Sequence, residues 1–212
     1  MVPDPAVWAA EAFGRQRDRT AHVIGVGVMA PPAAQQGAEV AEAGWLTHAF
    51  LMHFWSAVLS GLDAAGHEIV LFTNGAPDDQ ALAQQVWDAL PDALRCRVVL
   101  QPRMRDGEAL VQCIARCRAV ISPRLHALIV AHSLGVPAVG LVWDDKVRQF
   151  GVLSGHPERM LEAGGASPER ALRLLQEAMA VGIDAGAAAR LRHEAAAGVA
   201  AMVRAAGLQA RT

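Results

Sequence analysis

The sequence predicts an α/β domain built on a Rossmann-like, doubly wound parallel sheet, and its strand pattern is the main reason. Short apolar runs rich in β-branched residues recur along the chain, at 22–28, 68–73, 97–101, 119–122 and 137–143. Each run is nearly continuous in apolar residues rather than alternating, which is typical of a strand that is covered on both faces. Helical patterns separate the runs, and strands that alternate with helices pair in parallel through right-handed crossovers.

The segments between and after the strands show helical spacing. Helices are predicted at 44–65, 79–90, 107–116 and 125–134, and only helix is predicted beyond Ser167. Ser167-Pro168-Glu169 combines an N-cap residue, a proline suited to the first turn and an early acidic residue. The Ala-rich stretch 184–206 is predicted as a last amphipathic helix. These elements divide the chain into a polar lead-in (1–20), a Rossmann-like domain (21–182) and a C-terminal Ala-rich helix (183–212).

Composition and charge exclude several classes of protein. Hydrophobic residues make up 53% of the 212 residues and charged ones 19%, which suffices for a sizeable core. The formal net charge is -2 and the basic residues are scattered, so we expect no nucleic-acid partner. The longest apolar stretch, 127–143, is interrupted by His132, Gly135 and Pro137, and the first residues show no secretory signal. We therefore expect a cytoplasmic protein, or one that is peripheral at the inner face of the membrane.

The cysteines do not indicate a disulfide framework, because there are three of them in a chain of this length. Cys113 and Cys117 lie four residues apart, on one face of a predicted helix, and Cys96 is separate. Neither a Cys-x-x-Cys pair nor histidines at ligand spacing accompany them. We predict small buried thiols and no metal site.

The end of the first predicted strand, Gly25-Val-Gly27-Val-Met-Ala30, matches the dinucleotide-binding pattern G-x-G-x-x-A. Its glycines fall within the strand itself, and a helix is not expected to begin at Pro31-Pro32. The pattern also requires an acidic residue at the end of a second strand about twenty residues later, and the sequence has none there. We interpret the small residues as places where the sheet and a helix pack closely, and we predict no nicotinamide or flavin cofactor.

The end of the fourth predicted strand is the strongest candidate for a functional site. Ser122 suits an N-cap and Pro123 suits the first helical turn, so a helix is predicted to begin where the strand ends. The free N–H groups and the positive end of that helix would face the crevice where open parallel sheets bind ligands. Arg124 and His126 add a guanidinium and an acid/base group to this anion site. In the alternative interpretation, Arg124 pairs with a surface acid, His126 lies in the core, and His132 is structural in either case.

Other strand ends would lie beside this site. Lys146 and Arg148 follow the fifth strand, where Asp144 and Asp145 form either a carboxylate pair or an ordinary polar turn. After the second strand, the turn at Asn74-Gly75 is placed to touch a ligand. The third strand is followed by two further cations, Arg103 and Arg105, whose spacing matches no motif.

Taken together, three motifs resemble the polysaccharide pyruvyl transferase family. They are Ser122-Pro-Arg-Leu-His-Ala-Leu128, Gly135-Val-Pro-Ala-Val139 and Asp144-Asp-Lys-Val-Arg-Gln-Phe150. The turn Phe72-Thr-Asn-Gly-Ala-Pro-Asp-Asp79 is also similar to a strand end in bacterial members. Three motifs in order and at the family's spacing are more specific than any single one.

The resemblance implies the transfer of a pyruvyl group from phosphoenolpyruvate to a sugar of a cell-surface polysaccharide or its lipid-linked precursor, with a cyclic ketal as product. It implies that His126 donates a proton, that Arg124 and Lys146 hold the donor's anionic groups, and that neither a metal nor another cofactor is needed. The substrate-binding residues that we predict are Ser122, Arg124, His126, Asp145, Lys146, Arg148, Asn74 and Gly75.

The resemblance covers about residues 20–180 and corresponds to the C-terminal half of the family, whose members have two facing Rossmann-like halves, similar to one class of glycosyltransferases. A second chain or a second copy would then supply the missing half. The chain differs from the family at Val28-Met29-Ala30, where members commonly have an arginine. Two alternatives remain at this point: half of a nucleotide-sugar glycosyltransferase, with Asp144 or Asp145 on the ribose, and a non-catalytic anion- or sugar-binding module.

Overall fold

A computed structural model describes residues 4–31 and 46–206 of the chain. Within these residues the sheet has six strands, and all of the observed pairs are parallel. The strands are β1 (Val23–Gly27), β2 (Glu68–Phe72), β3 (Val98–Leu100), β4 (Cys117–Ser122), β5 (Ala138–Leu141) and β6 (Met160–Leu161). Their order is β3-β2-β1-β4-β5-β6, so the strand order reverses between β1 and β4. This is the predicted doubly wound, Rossmann-like sheet.

Helices occupy the connections between the strands. They are α1 (Ala9–Ala12), α2 (His48–Ala64), α3 (Pro77–Asp88), α4 (Asp92–Arg95), α5 (Gly107–Ala115), α6 (Leu125–Ser133), α7 (Asp145–Leu153), α8 (Pro168–Val181) and α9 (Ala185–Ala205). Short 3-10 turns lie at Pro5–Trp8, Pro157–Arg159 and Ala163–Gly165. Side chains of Thr47, Ser167 and Asp184 accept hydrogen bonds from the first turns of α2, α8 and α9, which fixes where those helices begin.

The sheet is covered on both faces, which explains why its strands are almost continuously apolar. Helices α2, α3 and α8 pack on one face around Phe54 and Trp55, neither of which is exposed to solvent. Helices α5, α6, α7 and α9 lie on the other face. The segment before β1 joins this second layer, since Val7 is buried in the same cluster as Ile129 of α6 and Leu191 of α9.

Four of the six described strands lie within the predicted runs, and β4 overlaps its run of 119–122 but begins earlier, at Cys117. Strand β6 and helices α4 and α7 were not predicted. The helix predicted at 79–90 begins two residues earlier, at Pro77. Residues 44 and 45 of the helix predicted at 44–65 lie outside the described part of the chain, and helix α2 begins later than predicted, at His48, with Thr47 as its N-cap. The two C-terminal helices follow the prediction closely. Among the described residues, no helix is both long and apolar enough to cross a membrane.

Two predictions about the cysteines were wrong. Cys117 does not share a helix face with Cys113, because α5 ends at Ala115 and Cys117 begins β4. Cys96 is exposed rather than buried. Cys113 and Cys117 are buried as expected, and burial raises the pKa of both thiols, that of Cys113 to about 11.

The glycines of β1 are close-packing positions, as the sequence suggested, but the groups that approach them belong mainly to neighbouring strands. A Cβ atom on Gly25 would lie 2.9 Å from Sγ of Cys117. A Cβ atom on Gly27 would lie 2.4 Å from Oγ of Ser122 and 3.0 Å from the Phe72 ring. Both glycines therefore let β1 pair tightly with β4 beside β2.

Candidate functional site

A buried carboxylate joins three strand ends at the carboxyl edge of the sheet. Asp79, in the first turn of α3, is only 1% exposed. Its Oδ1 accepts a hydrogen bond of 2.9 Å from the backbone N–H of Ala30, which follows β1. Its two oxygens also accept a fork from Arg124, at 2.8 Å from Nε and 2.6 Å from Nη2. The loop after β1, the helix after β2 and the turn after β4 are thus held together by one side chain.

The turn between β4 and α6 differs from the one predicted. Helix α6 begins at Leu125 with Arg124 as its N-cap residue, so Ser122 is not the N-cap. Ser122 is the last residue of β4, and its hydroxyl accepts a hydrogen bond of 3.1 Å from the N–H of Arg124. This short turn uses two residues before the helix can start. Trp143, after β5, donates from Nε1 to the carbonyl of Pro123 at 2.7 Å and holds the turn from the other side.

The arginine at the start of α6 lies where a cation is electrostatically unfavourable, because the N-terminus of a helix has a positive partial charge. Its pairing with Asp79 offsets this, and it also keeps the guanidinium in one orientation. The interpretation in which Arg124 pairs with an acid therefore holds, although the acid is buried and not at the surface. Of the three guanidinium nitrogens, Nη1 takes no part in this two-point interaction with Asp79.

A cleft of about 940 Å³ opens beside the N-terminus of α6. Its polar groups come from three strand ends: Asn74 and Gly75 after β2, Arg103, Arg105 and Asp106 after β3, and His126 after β4. Its apolar wall includes Ala9, Phe13, Met104, Leu110 and Val130. The His126 side chain is 63% exposed, and its Nε2 lies 3.4 Å from Oδ2 of Asp4. The interpretation of His126 as a core residue is therefore wrong, because its imidazole faces the open cleft.

The loops after β2 and β3 support each other at the floor of this cleft. Gly75 has a φ of +95°, and a Cβ atom there would lie 2.4 Å from the carbonyl oxygen of Met104. Nε of Arg103 donates a hydrogen bond of 2.8 Å to the carbonyl of Gly75. Glycine is required here by both the backbone angle and the close approach. The loop with the two arginines is consequently fixed relative to the turn at Asn74.

The predicted residues after β5 separate into two groups. Asp144 caps α7 by accepting from the N–H of Lys146 at 2.8 Å. Arg148 donates to both oxygens of Glu162, beyond β6, and pairs with Asp145. The hydrogen bonds from Glu162, together with its charge, raise the pKa of Arg148 further above its usual range. Lys146 is exposed, and within the described part of the chain its ammonium has no partner.

The structure thus brings Asn74, Gly75 and His126 to one cleft. Arg124 lies at the same strand end but points to Asp79, and the Ser122 side chain is fully buried. Sequence reasoning missed Asp79 as a partner of Arg124 and gave the two arginines after β3 no role. Burial of Asp79 has no local sequence signal, since an acidic residue in a first helical turn is normally exposed.

The second histidine of α6 has the structural role expected of it. His132 is 8% exposed and lies edge-on to the Phe150 ring, with 5.8 Å between ring centroids. Burial, and secondarily the charge of Arg192, lowers its pKa to about 4. Among the described residues, no three His, Cys, Asp or Glu side chains come together to hold a metal ion.

Comparison with solved structures places the fold among glycosyltransferases with two Rossmann-like halves. Three similar structures are ADP-heptose LPS heptosyltransferase II of E. coli (TM-score 0.53, 18% identity), a family 9 glycosyl transferase of Veillonella parvula (0.52, 16%) and E. coli heptosyltransferase WaaC with ADP (0.52, 15%). They cover 85%, 85% and 80% of this chain, which spans only 53%, 53% and 48% of theirs. At this identity the likeness concerns the fold alone: the chain has the architecture of one half of such an enzyme.

Comparison at the level of sequence is more specific. A search of curated proteins found no match. The family model for polysaccharide pyruvyl transferase matches residues 1–145, which include the strand ends that line the cleft and the Ser122 to Leu128 motif. The chain therefore belongs to the polysaccharide pyruvyl transferase family.

Proposed function

We propose that this chain binds phosphoenolpyruvate and takes part in the transfer of its pyruvyl group to a sugar of a cell-surface polysaccharide or a lipid-linked precursor. One observation supports this most directly. His126 faces an open cleft that also contains two arginines, at the edge of the sheet where Rossmann-like folds bind ligands. Phosphoenolpyruvate has a phosphate and a carboxylate next to a carbon that must be protonated, so it requires cations beside a proton donor.

The proposed reaction assigns the proton transfer to His126. Its imidazolium donates a proton to the methylene carbon of the enol, and a sugar hydroxyl adds to the neighbouring carbon, giving up its proton in turn. The C–O bond to phosphate then breaks and inorganic phosphate leaves. A second hydroxyl of the same sugar adds to that carbon and closes the ketal ring, releasing its proton to water. General acid catalysis of this kind contributes roughly 10²–10⁴-fold to a rate.

Binding of the donor's anionic groups is assigned to the elements around His126. The first N–H groups of α6 have no partner within the helix, and this end of the helix carries His126, which lines the cleft. Arg124 contributes through Nη1, the nitrogen that Asp79 leaves over. Lys146, exposed in the first turn of α7, supplies a second cation. Asn74 and Gly75 border the cleft on the opposite side.

The acceptor sugar requires a second half. This chain spans about half the length of the two-domain structures that it resembles. We propose that a second polypeptide, or a second copy of this chain, closes the cleft and orients the acceptor. Orientation of reactants can lower a barrier by roughly 7–11 kcal/mol, so the chain alone should be a poor transferase.

A binding experiment tests the donor assignment first. Phosphoenolpyruvate at a hundredfold excess over its dissociation constant should stabilise the chain by about 2.7 kcal/mol, which is visible as a thermal shift. ADP is the competing ligand, since a nucleotide-sugar transferase would respond to it instead. A shift with ADP but not with phosphoenolpyruvate would overturn the proposal in favour of that class.

A turnover experiment tests the role of His126. The chain is assayed with an oligosaccharide or lipid-linked acceptor, with and without a candidate second half, by release of inorganic phosphate. His126→Gln should leave donor binding within a few-fold while reducing turnover by about 10²-fold or more. An equal loss of binding and turnover would make His126 a binding residue instead of the proton donor.

A further inference from the structure

The guanidinium of Arg124 is already largely engaged. Nε and Nη2 form a two-point fork with Asp79, at 2.8 and 2.6 Å, and that carboxylate is 1% exposed. The same pairing neutralises the charge of the arginine. A ligand with two anionic groups can therefore receive at most one hydrogen-bonding nitrogen from this side chain. The cleft needs another source of cationic donors if it is to hold such a ligand.

The loop after β3 provides that source. Arg103 and Arg105 are both exposed, and both line the cleft that His126 faces. Nε of Arg103 donates a hydrogen bond to the carbonyl of Gly75, so the two terminal nitrogens of Arg103 can bind a ligand. In the described part of the chain, Arg105 forms neither an ion pair nor a hydrogen bond. No carboxylate there neutralises either guanidinium.

The loop is built so that both arginines point away from the core. Met104, between them, is 4% exposed and packs with Phe72, Leu110 and Val111. In an extended segment, the neighbours of an inward-pointing residue point outward on the same side. The carboxylate of Asp106, the next acidic group along, accepts a hydrogen bond of 2.9 Å from the N–H of Ala109 as the N-cap of α5. The two cations are thus presented together on a fixed loop.

We infer that Arg103 and Arg105 form an anion-binding site in this cleft and hold the phosphate or carboxylate of the donor. Guanidinium groups suit this task because their planar fork matches both kinds of anion. The identity of the donor rests on the function proposed above, whereas the anion site does not. In this arrangement Arg124 orders the start of α6 and adds at most its Nη1 to ligand binding, while the loop after β3 provides two further guanidinium groups for the ligand's charge.

A double variant with a matched control tests the inference. Arg103→Ala with Arg105→Ala removes the proposed site. Arg116→Ala with Arg118→Ala is the control, because these two arginines are likewise exposed, flank a buried residue (Cys117) and lie outside the cleft. Binding of phosphoenolpyruvate and of inorganic phosphate is measured by calorimetry on the full chain at two salt concentrations. Arg105→Gln is the fallback variant, since in the described part of the chain the Arg105 side chain has no hydrogen bond or ion pair to lose.

The first double variant should bind phosphoenolpyruvate at least tenfold more weakly, with a smaller salt dependence, and the control should stay within about twofold. Equal binding by both double variants would overturn the inference and leave the proposed donor intact. Binding of phosphate but not phosphoenolpyruvate, lost in the first variant, would confirm the anion site and refute the donor. Binding of neither anion by the wild-type chain would refute both.

Discussion

The two ends of helix α6 show how differently one short helix can be used. At its N-terminus, His126 is 63% exposed at the mouth of the cleft. At its C-terminus, only two turns away, His132 is 8% exposed and touches the Phe150 ring. The first end lies at the carboxyl edge of the sheet, where ligands bind, and the second is sealed by α7 and α9. Position relative to the sheet, and not residue type, separates the two histidines.

Arginines lie at both ends of α6, but the helix dipole favours a cation only at the C-terminal end. At the C-terminus, Arg17 donates to the carbonyl of Gly135 at 2.9 Å and Arg192 to that of Ser133 at 3.2 Å. Cations there satisfy the free carbonyls and the negative partial charge of the helix end. Arg124 at the N-terminus lies against the helix dipole and depends on Asp79. The N-terminal end of α6 therefore relies on a single buried acid, Asp79, and this can be tested directly.

The largest effect is expected from Asp79→Ala. The variant leaves Arg124 and the N–H of Ala30 without their partner, and breaking a buried ion pair costs about 3–5 kcal/mol in the free energy of unfolding. Urea denaturation measures this loss. Glu162→Ala is the control, because Glu162 pairs with Arg148 at the surface, where such pairs contribute about 0–1 kcal/mol. Similar losses in the two variants would show that the carboxyl edge does not depend on Asp79.

The C-terminal end of α6 should respond to acid. The Nε2 atoms of His132 and His156 are buried and have no hydrogen-bond partner among the described residues. Both histidines border a small cavity of about 20 Å³. Burial lowers the pKa of His132 from 6.5 to about 4, with Arg192 and His156 also lowering it and Asp184 opposing them. As the pH falls, His132 is therefore protonated at a higher pH in the unfolded chain than in the folded chain. The contribution of this group to the free energy of unfolding should be complete above about pH 6.5 and should fall by about 3 kcal/mol as the pH drops toward 4.

The measurement is the free energy of unfolding between pH 7 and pH 4, compared with that of His132→Leu. In this variant the free energy of unfolding should depend much less on pH than in the wild-type chain. Ser154→Ala, which removes a neighbouring hydroxyl bonded to the carbonyl of Gly151, should lower stability at every pH and keep the slope. If His132→Leu retains the wild-type slope, another group is responsible for the acid sensitivity.

The contrast between the ends also shows what sequence can and cannot predict. The strand runs and the helix after Ser122 were readable because periodicity and turn residues are local signals. Strand β6 has two residues, too few for any period, and Asp144-Asp145 suggested a turn although Asp144 caps α7. His126 followed from the rule that ligands bind at carboxyl strand ends. The pairing of Arg124 with Asp79 could not be predicted from the sequence, because Asp79 lies 45 residues away and its burial depends on the tertiary fold.

A smaller, and physically different, effect is expected from the glycine near each end of α6. Gly27→Ala would place a Cβ atom 2.4 Å from Oγ of Ser122, and overpacking of this kind costs about 1–3 kcal/mol. Gly135→Ala meets nothing closer than 3.9 Å, but it forces a φ of +73°, which costs about 1–2 kcal/mol. Thermal denaturation compares them. Gly135→Asn should recover stability because asparagine tolerates this angle, whereas Gly27→Asn should be worse than Gly27→Ala.

The smallest effect concerns Trp143, which holds the N-terminal end of α6 from the side of β5. Trp143→Phe keeps an aromatic ring but removes the hydrogen bond of 2.7 Å from Nε1 to the carbonyl of Pro123. A net loss of about 0.5–1.5 kcal/mol is expected in the free energy of unfolding. The local consequence should be clearer than the global one, because this bond fixes the residue before Arg124.

Hydrogen exchange resolves that local consequence at both ends of the helix. In Trp143→Phe, the amide of Ala127, which donates to the carbonyl of Arg124 at 3.0 Å, should exchange faster. The amide of Val136, which donates to the carbonyl of Ala131 at 2.8 Å beyond the other end, should be unchanged and serves as the internal control. Equal acceleration of both amides would mean that α6 loosens as one unit. In that case the two ends would not be independently supported, and substitutions at the sealed end should also alter the cleft around His126.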